Sequence, residues 1–164
     1  MDASASVVLS RDRPTLADAH LGDDPMNAVW RLVASSPLHR RWAVSEIDRL
    51  FRPPIEQCTY KLYWACDGRP VGIATWAELP MHAVEDLVAN KLRMEYMHWL
   101  GHRYWTAYPV LHTTIMDMIA LDNTCRVIVN DLREIFRGQI CFARRTTNGK
   151  RRLAAFRGYD DVAI

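Results

Sequence analysis

The alternation of apolar and polar positions begins in earnest at Asp24-Pro25. Asp24 can cap free amides and Pro25 suits a first helical position. Met26, Val29, Trp30 and Val33 then recur at helical spacing, so the pattern predicts an amphipathic helix. Ser35-Ser36-Pro37 stops it, because a residue before proline avoids helical geometry. A second short helix is expected from Ser45, where Ser45-x-x-Asp48 resembles a capping box, with Pro53-Pro54 as its end. Cys58–Cys66 and Val71–Glu78 are rich in β-favouring residues and flank Asp67-Gly68, which predicts a hairpin. After Leu79-Pro80, the residues Val84, Leu87, Val88 and Leu92 mark a helix extending toward or past Arg93. Residues 94–112 are crowded with aromatics and give no clear period. Thr113–Ala120 reads as a buried strand and Cys125–Phe136 as a helix. Gln139–Arg144 and Arg151–Phe156 read as two strands joined around Asn148-Gly149. The order predicts a mixed α/β single domain over residues 25–164, preceded by a loosely structured arm over 1–24.

A chain of 164 residues, 49% hydrophobic and 24% charged, suits one soluble globular domain. The longest apolar run, Val71 to Ala77, is far short of the ~20 residues a spanning helix needs. With no secretory leader legible, a cytoplasmic protein is expected. Cys58, Cys66, Cys125 and Cys141 form no Cys-x-x-Cys pair, and the expectation is that they are small apolar residues buried in strands. The net charge is only +2, but it is unevenly placed. Residues 1–24 carry Asp2, Asp12, Asp18, Asp23 and Asp24 against Arg11 and Arg13. Arg137, Arg144, Arg145, Lys150, Arg151, Arg152 and Arg157 follow one another with no acidic residue between. Such a patch either docks an acidic partner or is a solvated hairpin.

The candidate chemistry is sparse. His98 and His102 are spaced i, i+4, but Gly101 and the absence of an intervening glutamate argue against a metal pair. His39 follows the proline-turned end of the first helix and precedes Arg40-Arg41-Trp42, so it is either a structural histidine or an imidazole presented to a cleft as a base. Asp117 interrupts the apolar run Ile115–Ala120. A carboxylate there is either paired with a cation or imidazole, or exposed on an edge. No Gly-rich phosphate loop, acetyl-CoA pyrophosphate loop or Gly-x-Ser-x-Gly elbow occurs.

Trp30-x4-Ser35-Ser36-Pro37-Leu38-His39-Arg40-Arg41-Trp42-Ala43-Val44 resembles the RTX-toxin-activating lysine acyltransferases, the hemolysin-activator family. The resemblance continues through Arg69–Leu79, Met116–Ala120 and Phe156-Arg157-Gly158. It implies a GNAT-like fold, a mixed and mostly antiparallel sheet flanked by helices. It also implies transfer of a fatty acyl group from acyl-acyl carrier protein to internal lysines of an RTX-type protoxin. By the same resemblance His39 is the general base or acyl acceptor, Asp117 orients it, and Ser36 is the serine beside it. The acyl-phosphopantetheine arrives on the carrier, so no resident cofactor is needed and no metal is implied. Arg144, Arg145, Arg151 and Arg152 are then the expected docking patch for the acidic carrier. Residues 94–118, rich in aromatics and methionine, are either an acyl groove or ordinary core. A homodimer is left open, as are two other readings: a GNAT-like N-acyltransferase using acyl-CoA, and a catalytically silent relative that binds through its basic hairpin. Nucleic-acid binding is disfavoured, because the patch lacks interleaved aromatics.

Overall fold

A computed structural model of the chain describes residues 24–147 and 150–159. The expected arm over residues 1–24 lies, apart from Asp24, outside them, as does the turn at Asn148-Gly149. Helix α1 (Pro25–Ser35) starts as its sequence predicts, with the Met26 amide donating to the Asp24 carboxylate at 3.0 Å. Helix α2 (Val44–Glu56) differs from expectation at both ends. Its N-cap is Ala43 and no side chain caps it, so Ser45 sits within the first turn. At the other end the helix runs through Pro53 and Pro54. Two prolines forfeit amide donors there, but they lie in the last turn and both rings are buried, so apolar burial offsets the loss.

Strands β1 (Tyr60–Trp64) and β2 (Pro70–Leu79) form the expected hairpin, with Gly68 at φ 77° taking the left-handed turn position. Helix α3 (Met81–Val88) ends earlier than its apolar pattern suggests. Asn90 turns left-handed at φ 60°, and the Lys91 and Leu92 amides fold back onto the Asp86 carbonyl. The chain then runs extended to a 3-10 helix, Tyr96–Arg103, broken at Gly101 (φ 55°, ψ −133°). That break and the tighter 3-10 winding remove the shared α-helical face that His98 and His102 would need. Instead, Trp105 packs against His98 and His82, with ring centroids 5.6 and 5.9 Å away. Strand β3 (His112–Ala120), helix α4 (Cys125–Ile135), and strands β4 (Ile140–Thr147) and β5 (Lys150–Arg157) complete the described chain.

The sheet order is β1-β2-β3-β4-β5, antiparallel throughout except for the parallel β3–β4 pair. This is the mixed, mostly antiparallel sheet flanked by helices that the sequence implies. On one face, Ile73 packs with α1 and α2, and Ala77 and Leu79 pack with α3. On the other, Ala74 and Trp76 pack against Ile128, Leu132 and Phe136 of α4. Lys61 and Tyr63 of β1 both reach the Asp131 carboxylate on α4, at 2.8 Å each, and pin that second layer to the sheet edge. The cysteines depart from expectation. Only Cys141 is buried; Cys58, Cys66 and Cys125 lie in turns or at a helix start and are exposed, all four as free thiols. No described helix is long and apolar enough to cross a membrane.

Gly158, in the Phe156-Arg157-Gly158 motif, has a packing reason. A Cβ built there would stand 1.9 Å from the Phe136 carbonyl oxygen, a backbone atom that cannot step aside. At Gly72 the closest atom would be the flexible Ile128 Cδ1, at 2.5 Å. Gly158→Ala is therefore expected to cost about 2–3 kcal/mol, and Gly72→Ala about half that. Urea unfolding of the two variants beside the native chain checks the order.

Candidate functional site

The site is built at two places that meet through one tryptophan. The first is the corner after α1. Ser36, extended at φ −86° and ψ 118° as a pre-proline residue must be, caps the helix by donating its amide to Leu32 O. Its carbonyl accepts from the amides of His39 and Arg40, and the His39 carbonyl accepts from the Trp42 amide. This double turn folds the side chains back on each other. Ser36 Oγ and His39 Nδ1 share a hydrogen bond of 2.6 Å, in which the donor depends on the imidazole tautomer. The Ser36 side chain is buried and His39 half-buried. The Trp42 ring meets the imidazole edge-on at 4.7 Å. Burial lowers the His39 pKa below its ordinary 6.5, so the ring is neutral at neutral pH.

The second place is a defect in the sheet. Ala74 pairs with Met118 and Trp76 with Ile115, so Thr75 alone opposes both Met116 and Asp117. This is a β-bulge, and its extra residue reverses the in/out alternation of β3. Met116 and Asp117, though adjacent, both line one cavity, and Ile119 returns to the α1–α2 side where strict alternation would have turned it away. Thr75 stabilises the bulge by accepting from the Asp117 amide (3.2 Å) and donating to its carbonyl (3.4 Å).

The cavity measures about 480 Å³ and lies between α2, the end of α3, the extended 90–94 segment and the β3–β4 junction. Trp42, Leu50, Leu87, Leu92, Met94 and Met116 give it apolar walls. Arg49, Lys91, Arg93 and Arg144 supply cations, and Glu46 and Asp117 the carboxylates. The parallel β3–β4 ladder is paired at Thr114–Phe142 and Ile115–Ala143, just before the cavity-lining residues of the two strands. Arg144 is the next residue of β4. Burial pushes the Asp117 carboxyl up to about 6, against the opposing pull of Arg144 and Arg49.

The structure thus brings Ser36 and His39 into contact and places Asp117 and Arg144 on one cavity. His39 and Asp117 share no hydrogen bond among the described residues; Trp42 touches the His39 ring and lines the cavity of Asp117. Of the residues in the basic hairpin, Arg144 pairs with Leu153 and Arg145 with Arg152, so Arg144 and Arg152 fall on opposite faces of the ribbon. Arg152 is exposed; the side chains of Arg145 and Arg151 lie outside the described set. Within residues 94–118, Met94 and Met116 line the cavity, while Trp99 belongs to the core. Arg49 and the 90–94 segment carried no sequence motif. Their one legible signal is the alternation of Lys91 and Arg93 with Leu92 and Met94.

The folded chain holds the Asp117 proton more tightly than an unfolded chain, whose carboxyl titrates near 3.8. This group therefore favours the folded state most at acid pH, and that contribution is lost as pH rises from about 4 through about 6. Asp117→Asn removes the titration. Its stability relative to the native chain is expected to rise by about 2 kcal/mol between pH 4.5 and 7.5, read from denaturant unfolding at those two values.

With this geometry in place, comparison with known proteins gives one consistent result. Over 106 residues the chain is 29% identical to the RTX-II toxin-activating lysine-acyltransferase ApxIIC of Actinobacillus pleuropneumoniae, a stretch covering 64% of this chain and 60% of that relative. The match thus spans less than two thirds of the relative's length. The family model for HlyC, the RTX toxin acyltransferases, matches residues 24–154, which take in the Ser36–His39 corner, the bulge and the cavity. The chain belongs to the RTX toxin acyltransferase family.

Proposed function

We propose that the protein is a protein-lysine acyltransferase that moves a fatty acyl group from acyl-acyl carrier protein to the ε-amine of internal lysines in an RTX-type protoxin. The observation that carries this reading is the 2.6 Å hydrogen bond between Ser36 and His39, set in a segment the family model covers. When Nδ1–H donates to Ser36 Oγ, the lone pair of Nε2 is left as the base. A lysine ammonium, with an ordinary pKa near ~10.4, must lose a proton before it can attack. Nε2 takes that proton, the amine adds to the thioester carbonyl, and the C–S bond breaks as the C–N bond is made. The imidazolium returns its proton to the departing thiolate, and the freed Nε2 then takes the remaining extra proton from the acylated nitrogen and releases it to solvent, leaving a neutral amide and a free thiol. In the alternative order Nε2 itself attacks the thioester, and an acyl-histidine hands the chain to lysine.

Asp117 is proposed as the carboxylate that orients and supports the imidazolium, acting across the Trp42 contact when the acceptor closes the site. Arg144, Arg145, Arg151 and Arg152 are proposed to dock the acidic carrier. The carrier brings its own phosphopantetheine, so no pyrophosphate loop is called for, which favours this donor over free acyl-CoA.

His39→Ala is expected to lower transfer of labelled acyl groups from acyl-acyl carrier protein to an RTX-type acceptor by at least roughly a hundredfold, with the variant still folded at the assay temperature. Full activity in that variant would overturn the reading. Both His39 and Asp117 act in their basic forms, so kcat/KM should fall on the acid side as pH drops through about 6. In Asp117→Asn the acid limb should keep only the His39 titration and the plateau should drop. A pH–rate series on the two proteins checks it.

A further inference from the structure

The cavity wall formed by residues 90–94 is an extended strap whose side chains alternate in character. Leu92 is half-buried and Met94 buried, while Lys91 and Arg93 are exposed, and all four line the cavity. The strap is held at several points. The Lys91 and Leu92 amides donate to Asp86 O, Arg93 Nη2 donates to Glu46 at 2.6 Å, and Arg49 Nη1 donates to Met94 O at 2.6 Å. The Lys91 ammonium has no hydrogen-bond or ion-pair partner among the described residues, and the Arg93 side chain is 65% exposed even with Glu46 and Glu95 beside it. Deeper in the same cavity, Arg49 Nε is buried and has no partner. A buried guanidinium N–H left unmatched is costly unless an acceptor fills the space beside it.

The cavity therefore offers three things to one ligand: apolar walls, a spare N–H donor within, and two cations on a fixed strap at the rim. A linear amphiphile with an apolar chain, carbonyl acceptors partway along and an anionic group at its far end matches that order. We infer that Lys91 and Arg93 form a phosphate subsite for the acyl-phosphopantetheine arm of the donor, with Arg49 Nε donating to a carbonyl of the arm. This rests on the acyl-carrier reading above and adds to it a second cationic locus, on the α3 side of the cavity and separate from the β4–β5 hairpin. The strap's cations read the arm's phosphate, and the carrier's acidic surface is left to the β4–β5 hairpin.

The test compares donors that differ only in the phosphate. Transfer is measured from acyl-phosphopantetheine and from acyl-pantetheine, with the native chain and with Lys91→Ala/Arg93→Ala, and then from acyl-acyl carrier protein and acyl-CoA. The native chain is expected to prefer the phosphorylated short donor by roughly tenfold in kcat/KM, the loss of a charge-assisted hydrogen bond at an exposed site. The double variant should lose that preference, and with acyl-acyl carrier protein the loss should appear in KM rather than kcat. Lys91→Glu, which leaves the Arg93–Glu46 pair in place, should weaken the phosphorylated donor further and guards against a simple loss of strap structure. A native chain indifferent to the phosphate, or a variant that keeps the full preference, overturns the subsite while leaving the acyl-carrier reading standing. An equal loss with acyl-CoA supports a site that reads the phosphate whichever molecule brings it; a loss confined to acyl-CoA overturns the assignment to the carrier's arm. If the native chain transfers from none of the four donors, the acyl-carrier reading itself falls, and the subsite with it.

Discussion

One inserted residue in β3 organises the site. A regular strand would turn Met116 and Asp117 to opposite faces. With Thr75 facing both, the two share a cavity, and a carboxylate enters a space walled by leucine, methionine and tryptophan, with Arg49 and Arg144 also lining it. The insertion is stabilised locally, because the Thr75 hydroxyl takes both main-chain groups of Asp117 that the interrupted ladder would otherwise leave poorly matched. The same insertion restores Ile119 to the α1–α2 core, so the strand's remaining length still contributes burial. A carboxyl raised to about 6 follows from this placement rather than from any sequence motif.

The α1 corner is a complementary device. Proline at 37 forbids the helix from continuing through Ser36, and the turn that replaces it returns His39 to within hydrogen-bond reach of that serine. Buried serine, half-buried imidazole and tryptophan edge leave the histidine little freedom about its ring. Helix α2, which begins two residues after Trp42, then supplies Glu46, Arg49 and Leu50 to the cavity. Corner and cavity are consecutive in the chain, so the position of one fixes the other.

Much of this was legible from residue types alone. The Asp24 cap, the Asp-Gly hairpin, the pre-proline stop and the five strands follow from local rules, and the structure has each of them. Local rules failed where tertiary packing overrode them. Buried rings carry α2 through two prolines, a left-handed Asn90 cuts α3 short, and exposed turns hold three of the four cysteines. The site divides the same way. His39 and Ser36 could be read because sequence neighbours build their corner. The surroundings of Asp117 could not, because they depend on a register shift between strands some forty residues apart, and no periodicity along one strand encodes the partner's count.

The parallel junction of β3 and β4 has a mechanical consequence. Two register pairs join β1–β2–β3 to the long β4–β5 ribbon, whereas eight pairs hold that ribbon together. By its hydrogen-bond ladders the sheet is therefore two antiparallel units joined along a short parallel seam, with Arg144 the first β4 residue beyond it. What holds the two units together is packing more than the ladder: Ile115 shares one cluster with Cys141, Ala143 and Phe156 around α4, and Phe142 packs with the α3 cluster, so the cohesion of the seam rests on side chains from both helix layers.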